Sequence, residues 1–244
     1  MENKYSKYSC ILYNETKPPG TSVDGDLEFY KNLLLPVEGY ILEAGVGNGR
    51  LLIPLLRYKL NVIGVDKSLE MIEICKQNMN MAGLNASIIH TTLENYVENN
   101  FFEFIIMPNA SFCLLENREK ANIVLKNFYN SLKSGGTLAI DLILPIDFKA
   151  GTKHSMEHKL NNDHVVVENY SKEINWYEQY TINEIKYYVD QNLRETQLMK
   201  LRWYGVKEFE EMLSNIGFTD IEVIKNYNNK RILNLKTITI IGKK

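Results

Sequence analysis

The sequence predicts an α/β protein: a doubly wound, mostly parallel sheet of seven strands, with an antiparallel β insert after the fifth. Three observations carry this. Between residues 26 and 145, apolar β-branched runs alternate with segments of helical spacing, as in a parallel sheet with crossover helices. The first strand runs into Glu43-Ala44-Gly45-Val46-Gly47-Asn48-Gly49-Arg50, a glycine turn that opens a helix. After Pro145 the residues change to strand-like composition and keep it to Trp203.

Residues 1–25 are polar and tyrosine-rich, with the breaker cluster Lys17-Pro18-Pro19-Gly20. They read as a mobile arm rather than core. Tyr5, Tyr8 and Tyr13 in it suit either surface packing or a lid, since aromatic faces attract a sulfonium as they attract an ammonium. Asp26 to Leu35 forms a helix stopped by Pro36. Tyr40 to Leu42 is a short buried strand, and the glycine turn follows it. Pro54 falls near enough to the first turn of the next helix to be tolerated.

Asn61 to Asp66 is the second strand. Ser68 to Ala82 is a helix with Leu69, Ile72, Cys75 and Met79 on one side and Gly83 as its stop. Ala86 to His90 is a third strand, followed by the turn Thr91 to Tyr96. Phe102 to Met107 is nearly uninterrupted apolar residue, as a central parallel strand requires. Asn117 to Lys133 is a strong helix ended by Gly135-Gly136, and Thr137 to Leu144 is the fifth strand. In the insert, Val165 to Tyr170, Tyr177 to Val189 and Gln197 to Trp203 read as an antiparallel meander. Lys207 to Ile216 returns to helix, and strands Ile221 to Ile224 and Thr237 to Ile241 close the chain as a hairpin.

The expected organisation is one domain made of 1–145 and 204–244, with 146–203 inserted. The length of 244 residues suits that. A formal charge of −2 gives no global attraction to polyanions. Three widely spaced cysteines point to reduced thiols and a cytoplasmic setting. No signal peptide and no membrane-spanning stretch is expected.

The glycine turn brings main chain to a ligand, and the helix start offers unpaired N–H groups. A dinucleotide fingerprint would place its third glycine at position 50, where Arg50 stands, and the Gly-Lys-Ser/Thr of a phosphate loop is absent. Asp66 ends the second strand, 19 positions beyond Gly47. There a carboxylate faces the same crevice and can accept two hydrogen bonds from a ribose diol.

The Glu-x-Gly-x-Gly-x-Gly turn, the acid at 66 and Leu132-Lys133-Ser134-Gly135-Gly136 together resemble class I S-adenosylmethionine-dependent methyltransferases. The match spans roughly 26–145 and 204–244. It is most similar to bacterial small-molecule enzymes of the sugar-amine and glycine N-methyltransferase type. The resemblance implies S-adenosylmethionine as cofactor and methyl transfer to an N or O atom of a small acceptor. It implies that Gly45, Gly47 and Gly49 pass beneath the methionine portion, that Arg50 belongs to the cofactor site and that Glu43 supports the methionine amino group. It further implies that Asp66 holds the ribose and Lys67 flanks the adenine. Thr92, Leu93 and Glu94 occupy the adenine turn, without the acid usual at its start. Pro108 and Asn109 follow strand four. Tyr13, Tyr30 and Arg202 are candidate acceptor contacts.

His154, His158, His164, Asp141 and Glu168 are candidate bases, none of them within a motif. No metal is expected, because His154 and His158 are four apart outside a helix with no third ligand. A nucleic-acid acceptor, such as RNA, is the enzymatic alternative. It lacks the (Asp/Asn/Ser)-Pro-Pro-(Tyr/Phe) loop and a basic, aromatic-interleaved stretch. A non-catalytic regulatory protein that binds the cofactor is the other. The chain is expected to be a monomer, or a homodimer through the free edge of the insert.

Overall fold

The computed structural model describes residues 3, 5–160, 163–227 and 235–244. Helix α1 (Lys7–Thr16) precedes α2 (Asp26–Leu34). Then β1 (Tyr40–Ala44), α3 (Leu52–Arg57), β2 (Asn61–Asp66), α4 (Leu69–Met81) and β3 (Ile88–His90) alternate. They are followed by β4 (Phe102–Met107), α5 (Arg118–Ser131) and β5 (Leu132–Ile143). The insert holds β6 (Lys153–Leu160), β7 (Asp163–Asn175), β8 (Tyr180–Val189) and β9 (Asn192–Arg202). Helix α6 (Val206–Ile216), β10 (Thr219–Lys225) and β11 (Thr237–Lys243) return to the main sheet.

That sheet has seven strands in the order β10-β11-β5-β4-β1-β2-β3. β11 runs antiparallel to β5 and to β10, and the remaining pairs are parallel. From β1 the chain winds outward through β2 and β3, then crosses back to place β4 on the other side of β1. The crevice at this reversal, beyond the carboxyl ends of β1 and β4, is where ligands bind in open α/β sheets.

Each face of the sheet buries its own apolar layer. Leu34, Leu52, Leu55, Cys75 and Met79 from α2, α3 and α4 cover one face. Val124, Leu125, Phe128, Phe209 and Leu213 from α5 and α6 cover the other. Fully burying side chains of this size contributes roughly 1.5–3 kcal/mol apiece, so these two layers hold the crevice rigid.

Four expectations need correction. Among its described residues, the segment 1–25, expected to lie outside the core, is partly packed. Within it α1 is formed and Cys10 is buried. Tyr8, Ile11 and Leu12 of α1 pack against Val165, Val167 and Tyr187 of the insert, a long-range contact that local spacing does not display. The insert has four strands, not three. β6 was missed because Lys153 to Lys159 is polar and largely exposed, carrying no alternation to read. Residues 177–179, expected at the start of a strand, belong to the turn between β7 and β8. The chain also leaves α5 at Ser131 and passes directly into β5, with an irregularity between the pairs Phe102↔Leu132 and Phe104↔Thr137. Gly135-Gly136 therefore bulges within a strand edge instead of capping a helix.

Candidate active site

A cleft of about 1100 Å³ lies over the carboxyl ends of the parallel strands. Gly45, Gly47, Asp66, Lys67, Thr92, Leu93, Glu94 and Asn109 border it from the sheet side. Tyr5, Tyr13 and Lys17 border it from the N-terminal segment, and the insert closes the far side.

The glycine loop is anchored to β2 by main chain: Gly45 and Val46 N–H donate to Val65 O at 2.8 and 3.0 Å. Asp66 completes the anchoring. Its Oδ2 accepts from Gly47 N–H at 2.8 Å and its Oδ1 from Ser68 N–H at 2.8 Å. Burial raises its pKa above the usual carboxylate value, and these N–H groups counter the shift. Lys67 N–H donates to the same carboxylate, and the three donors leave part of its acceptor capacity for a diol in the cleft. Ser68, which also caps α4 through Met71 N–H, leaves Asp66 free of the capping role.

Gly49 serves a different purpose from Gly47. At φ +81°, a Cβ there would lie 2.8 Å from Cys75 Sγ, so this glycine lets the loop pack on α4 and does not border the cleft. Arg50 is also turned away. Its Nη2 is 2.5 Å from Asp26 Oδ2, and Nη1 donates to Asp26 Oδ1 and Thr21 O. The pair is 5% and 0% exposed, and it ties the start of α2 to the glycine loop. Glu43 lies beneath the loop, fully enclosed. Burial pushes its carboxyl up to about 8, and Oε2 accepts no hydrogen bond.

Asn48 links the loop to α1. Its Nδ2 donates to Asn14 Oδ1 and Lys17 O, each at 2.9 Å, while Asn78 Nδ2 reaches Asn14 Oδ1 and Asn48 O at 2.9 Å. This asparagine cluster places Tyr13 over the cleft, where Asn109 Nδ2 donates to its hydroxyl at 3.4 Å. Lys17 Nζ sits 5.0 Å from the Tyr13 ring centroid. At the adenine turn, Asn127 Nδ2 donates to Leu93 O and Glu94 O, fixing the loop after β3.

Asp141 is a structural carboxylate. It accepts from Tyr30 OH and Thr239 Oγ1 on one oxygen, and from Tyr227 OH and Asn109 N–H on the other, at 2.7–2.8 Å. Burial raises it to about 6, and its donors oppose the shift. Saturated in this way it holds the Asn109 loop, and it has no free oxygen aimed at an acceptor. Tyr30 is fully buried in this network, which removes it as an acceptor contact. Pro108 does not border the cleft, although its carbonyl holds Ser111 Oγ there at 2.9 Å.

The other proposed bases lie on the insert outside the cleft. His154, His164 and Glu168 are exposed, His158 is half-buried, and His164 faces Glu157 at 3.1 Å. Arg202 borders the cleft at the end of β9, and its Nη1 donates to Glu178 O at 2.6 Å. Sequence reasoning missed Asn14, Asn48 and Asn78, and the insert residues Ser171, Thr181, Asn183 and Gln197. Asn48 stood in the motif itself, and its place between two glycines was the available signal.

Residues 41–136 match a family model described as a methyltransferase domain. A curated relative from Nautilia profundicola, a carboxy-S-adenosyl-L-methionine synthase, is 27% identical over 205 residues, 83% of this chain and 79% of its own length. Among solved structures, the sugar N-methyltransferase KedS8 from Streptoalloteichus sp. aligns at TM-score 0.78 and 14% identity, covering 100% of this chain and 95% of its own. An S-adenosylmethionine-dependent methyltransferase from Clostridium acetobutylicum aligns at 0.76 and 17%, covering 95% and 96%. The amino pentose methyltransferase CalS10 from Micromonospora echinaspora aligns at 0.74 and 13%, covering both chains entirely. Residues 41–136 thus match a methyltransferase domain, and over nearly its whole length the chain has the fold of these solved methyltransferases.

Proposed function

We propose that the protein is an S-adenosylmethionine-dependent methyltransferase acting on an N or O atom of a small-molecule acceptor. The observation that carries this is Asp66. It is held by Gly47 and Ser68 N–H groups at the end of β2 and borders the cleft beside the glycine loop. A ribose diol fits there.

The residues suit this cofactor on structural grounds. Glu43 keeps an enclosed, unpartnered oxygen beneath the loop, matched to an ammonium group. Gly45 and Gly47 leave bare main chain at the floor of the cleft. Leu93 and the turn around it face the position of an adenine. When bound, S-adenosylmethionine supplies an electrophilic methyl on a sulfonium. The chain's own work is then to hold an acceptor in line and exclude water, which supplies ~7–11 kcal/mol of the barrier reduction. Tyr13, Asn109 and the insert enclose the space where that acceptor would lie, with the insert as its lid. An enclosed cleft of this kind favours a small molecule over a nucleic acid.

Calorimetric titration with S-adenosylhomocysteine is expected to show a single site. Incubation with S-adenosylmethionine and a panel of amines, alcohols and carboxylates is expected to release S-adenosylhomocysteine only with an acceptor present. Binding of NADH with none of S-adenosylhomocysteine would overturn the assignment.

A second reading rests on the Nautilia profundicola relative. By its name, that protein makes carboxy-S-adenosyl-L-methionine. On this reading the cofactor itself is altered. Mass spectrometry of the nucleoside after turnover separates the two, since one predicts demethylated cofactor and the other a carboxylated one.

A further inference from the structure

The cleft changes character away from the glycine loop and Asp66. There it is bordered by the chain that leaves β5. Ile143 ends that strand, and Leu144, Pro145, Ile146, Asp147 and Phe148 follow it, all at the cleft. Five of these six residues are apolar and none is buried, so their side chains stay open to solvent. Leu114 and Leu115 after β4, and Met199 and Leu201 on β9, border the same cleft and are half-buried. The short turn Ser111–Leu114 packs on both β5 and β9, so the three segments meet on one side. Trp203 borders the cleft two residues after Leu201, and the Trp176 ring stands edge-on to it at 5.4 Å. Apolar side chains held open to solvent in a concave wall are a cost that burial under a ligand removes.

The polar and charged groups around this wall are largely engaged elsewhere. Gln197 is buried and its Oε1 accepts from Tyr187 OH at 3.0 Å, and the Asn183 oxygen is shut off from solvent. Glu116 pairs with Lys120 at 2.5 Å, and Asp147 is exposed. Arg202 is 7% exposed and gives Nη1 to Glu178 O. Glu195 does not border the cleft, and its Oε2 accepts Tyr8 N–H at 2.8 Å. The cleft, about 1100 Å³, has room for more than the cofactor, since one drug-sized ligand fills roughly 300–1,000 Å³. We propose that the methyl acceptor presents an apolar ring or cage to this wall, beside the atom that is methylated. Its selection then comes from buried apolar area and not from recognition of hydroxyl or acid groups. The proposal rests on the methyl-transfer reading above and names the acceptor's chemistry within it.

The test uses the full chain saturated with S-adenosylhomocysteine and four probes: cyclohexanol, 1-adamantanol, myo-inositol and cyclohexanecarboxylate. Trp176 and Trp203 are the chain's two tryptophans, so a shift in tryptophan emission reports binding at this wall. Cyclohexanol should give that shift, and 1-adamantanol should bind more tightly, by about tenfold for each ~55 Å² of further apolar area covered. myo-Inositol, the same ring with a hydroxyl on every carbon, should bind about tenfold more weakly than cyclohexanol or worse. Cyclohexanecarboxylate should bind no more tightly than cyclohexanol. In Phe148→Ser the affinity for 1-adamantanol should fall about fivefold or more, while that for S-adenosylhomocysteine is retained. No binding of 1-adamantanol, no gain from cyclohexanol to 1-adamantanol, or myo-inositol binding as tightly as cyclohexanol would overturn the proposal. So would an unchanged 1-adamantanol affinity in Phe148→Ser. Tighter binding of the carboxylate would also overturn it, and would mark a site for an acid beside Arg202. The wild-type series stands even if the variant does not fold. Failure of the wild type to bind S-adenosylhomocysteine would instead overturn the methyl-transfer reading.

Discussion

On the sheet side of the cleft, the polar groups are mostly bound to the protein itself. Asp66 holds three N–H groups, Arg50 is locked to Asp26, and Asp141 accepts four hydrogen bonds behind the Asn109 loop. On the insert side, Asn169 and Asn183 keep oxygens with no partner. The first wall is rigid, and its fixing partners include distant ones, with Tyr30, Tyr227 and Thr239 all donating to Asp141. The second is assembled from three strands of the insert. The sheet side has unpartnered atoms too: Glu43 Oε2 and Asn48 Oδ1 are enclosed without a hydrogen bond.

Removing a piece of the rigid wall should do the most damage. Arg50→Ala strands the fully buried Asp26 carboxylate, and removing one partner of a buried pair costs ~3–5 kcal/mol. Urea unfolding measures this. A loss below about 1 kcal/mol, the level of an exposed pair, would mean that the sheet side is not pre-set as described. Asp66→Ala should act on binding next. Losing two hydrogen bonds to a charged group costs about 3 kcal/mol, on the order of a hundredfold in S-adenosylhomocysteine affinity by calorimetry. Wild-type affinity in that variant would remove Asp66 from the cofactor site.

Glu43 gives a pH signature of intermediate size. Its folded pKa, about 8, lies above the ordinary 4.5, so the folded state keeps a proton that the unfolded state has lost between these values. The stability tied to this group is present at low pH and falls as pH rises toward 8, with a slope of at most ~1.4 kcal/mol per pH unit. Glu43→Gln should flatten that slope in urea unfolding curves. An ammonium beside Glu43 should also drive the proton off, so the heat of S-adenosylhomocysteine binding near neutral pH should vary with buffer ionisation enthalpy in wild type and not in Glu43→Gln.

The smallest effect is expected where the N-terminal segment meets the insert. Asn3 Nδ2 donates to Leu114 O and Lys200 O, and its Oδ1 accepts from Lys200 N–H at 2.7 Å. Asn3→Ala should cost ~1 kcal/mol and speed hydrogen exchange in α1 more than in β1 or β4. Uniform acceleration would show that α1 is part of the core and not a cover fastened to the second wall.

Much of the sheet side was legible in the sequence because its determinants are local. A strand, a turn needing positive φ and an acid at the next strand end follow one another within residues 40–66. The places where that reading went astray are equally specific. Gly49 belonged to the motif, but its space is taken by Cys75. Arg50 was counted with the cofactor, yet it pairs with Asp26, 24 residues earlier. Tyr30 was placed at the acceptor, yet its hydroxyl is spent on Asp141. In each case a long-range partner claims the side chain, and spacing carries no trace of it.

The sequence by itself determined the order of elements, the seven strands, the site of the insertion after strand five and the glycine loop with Asp66. Hydrophobic period and backbone preference act over a few residues, and a single chain displays them directly. Only the tertiary structure decided that α1 lies against the glycine loop through Asn14, Asn48 and Asn78. It alone decided that Asp141 is a buried anchor and that the histidines stand outside the cleft. It alone decided that the side-chain oxygens of Asn169 and Asn183 are enclosed without a partner. Those outcomes depend on which distant groups meet in a low-dielectric interior, where one hydrogen bond made or missing changes a residue's role.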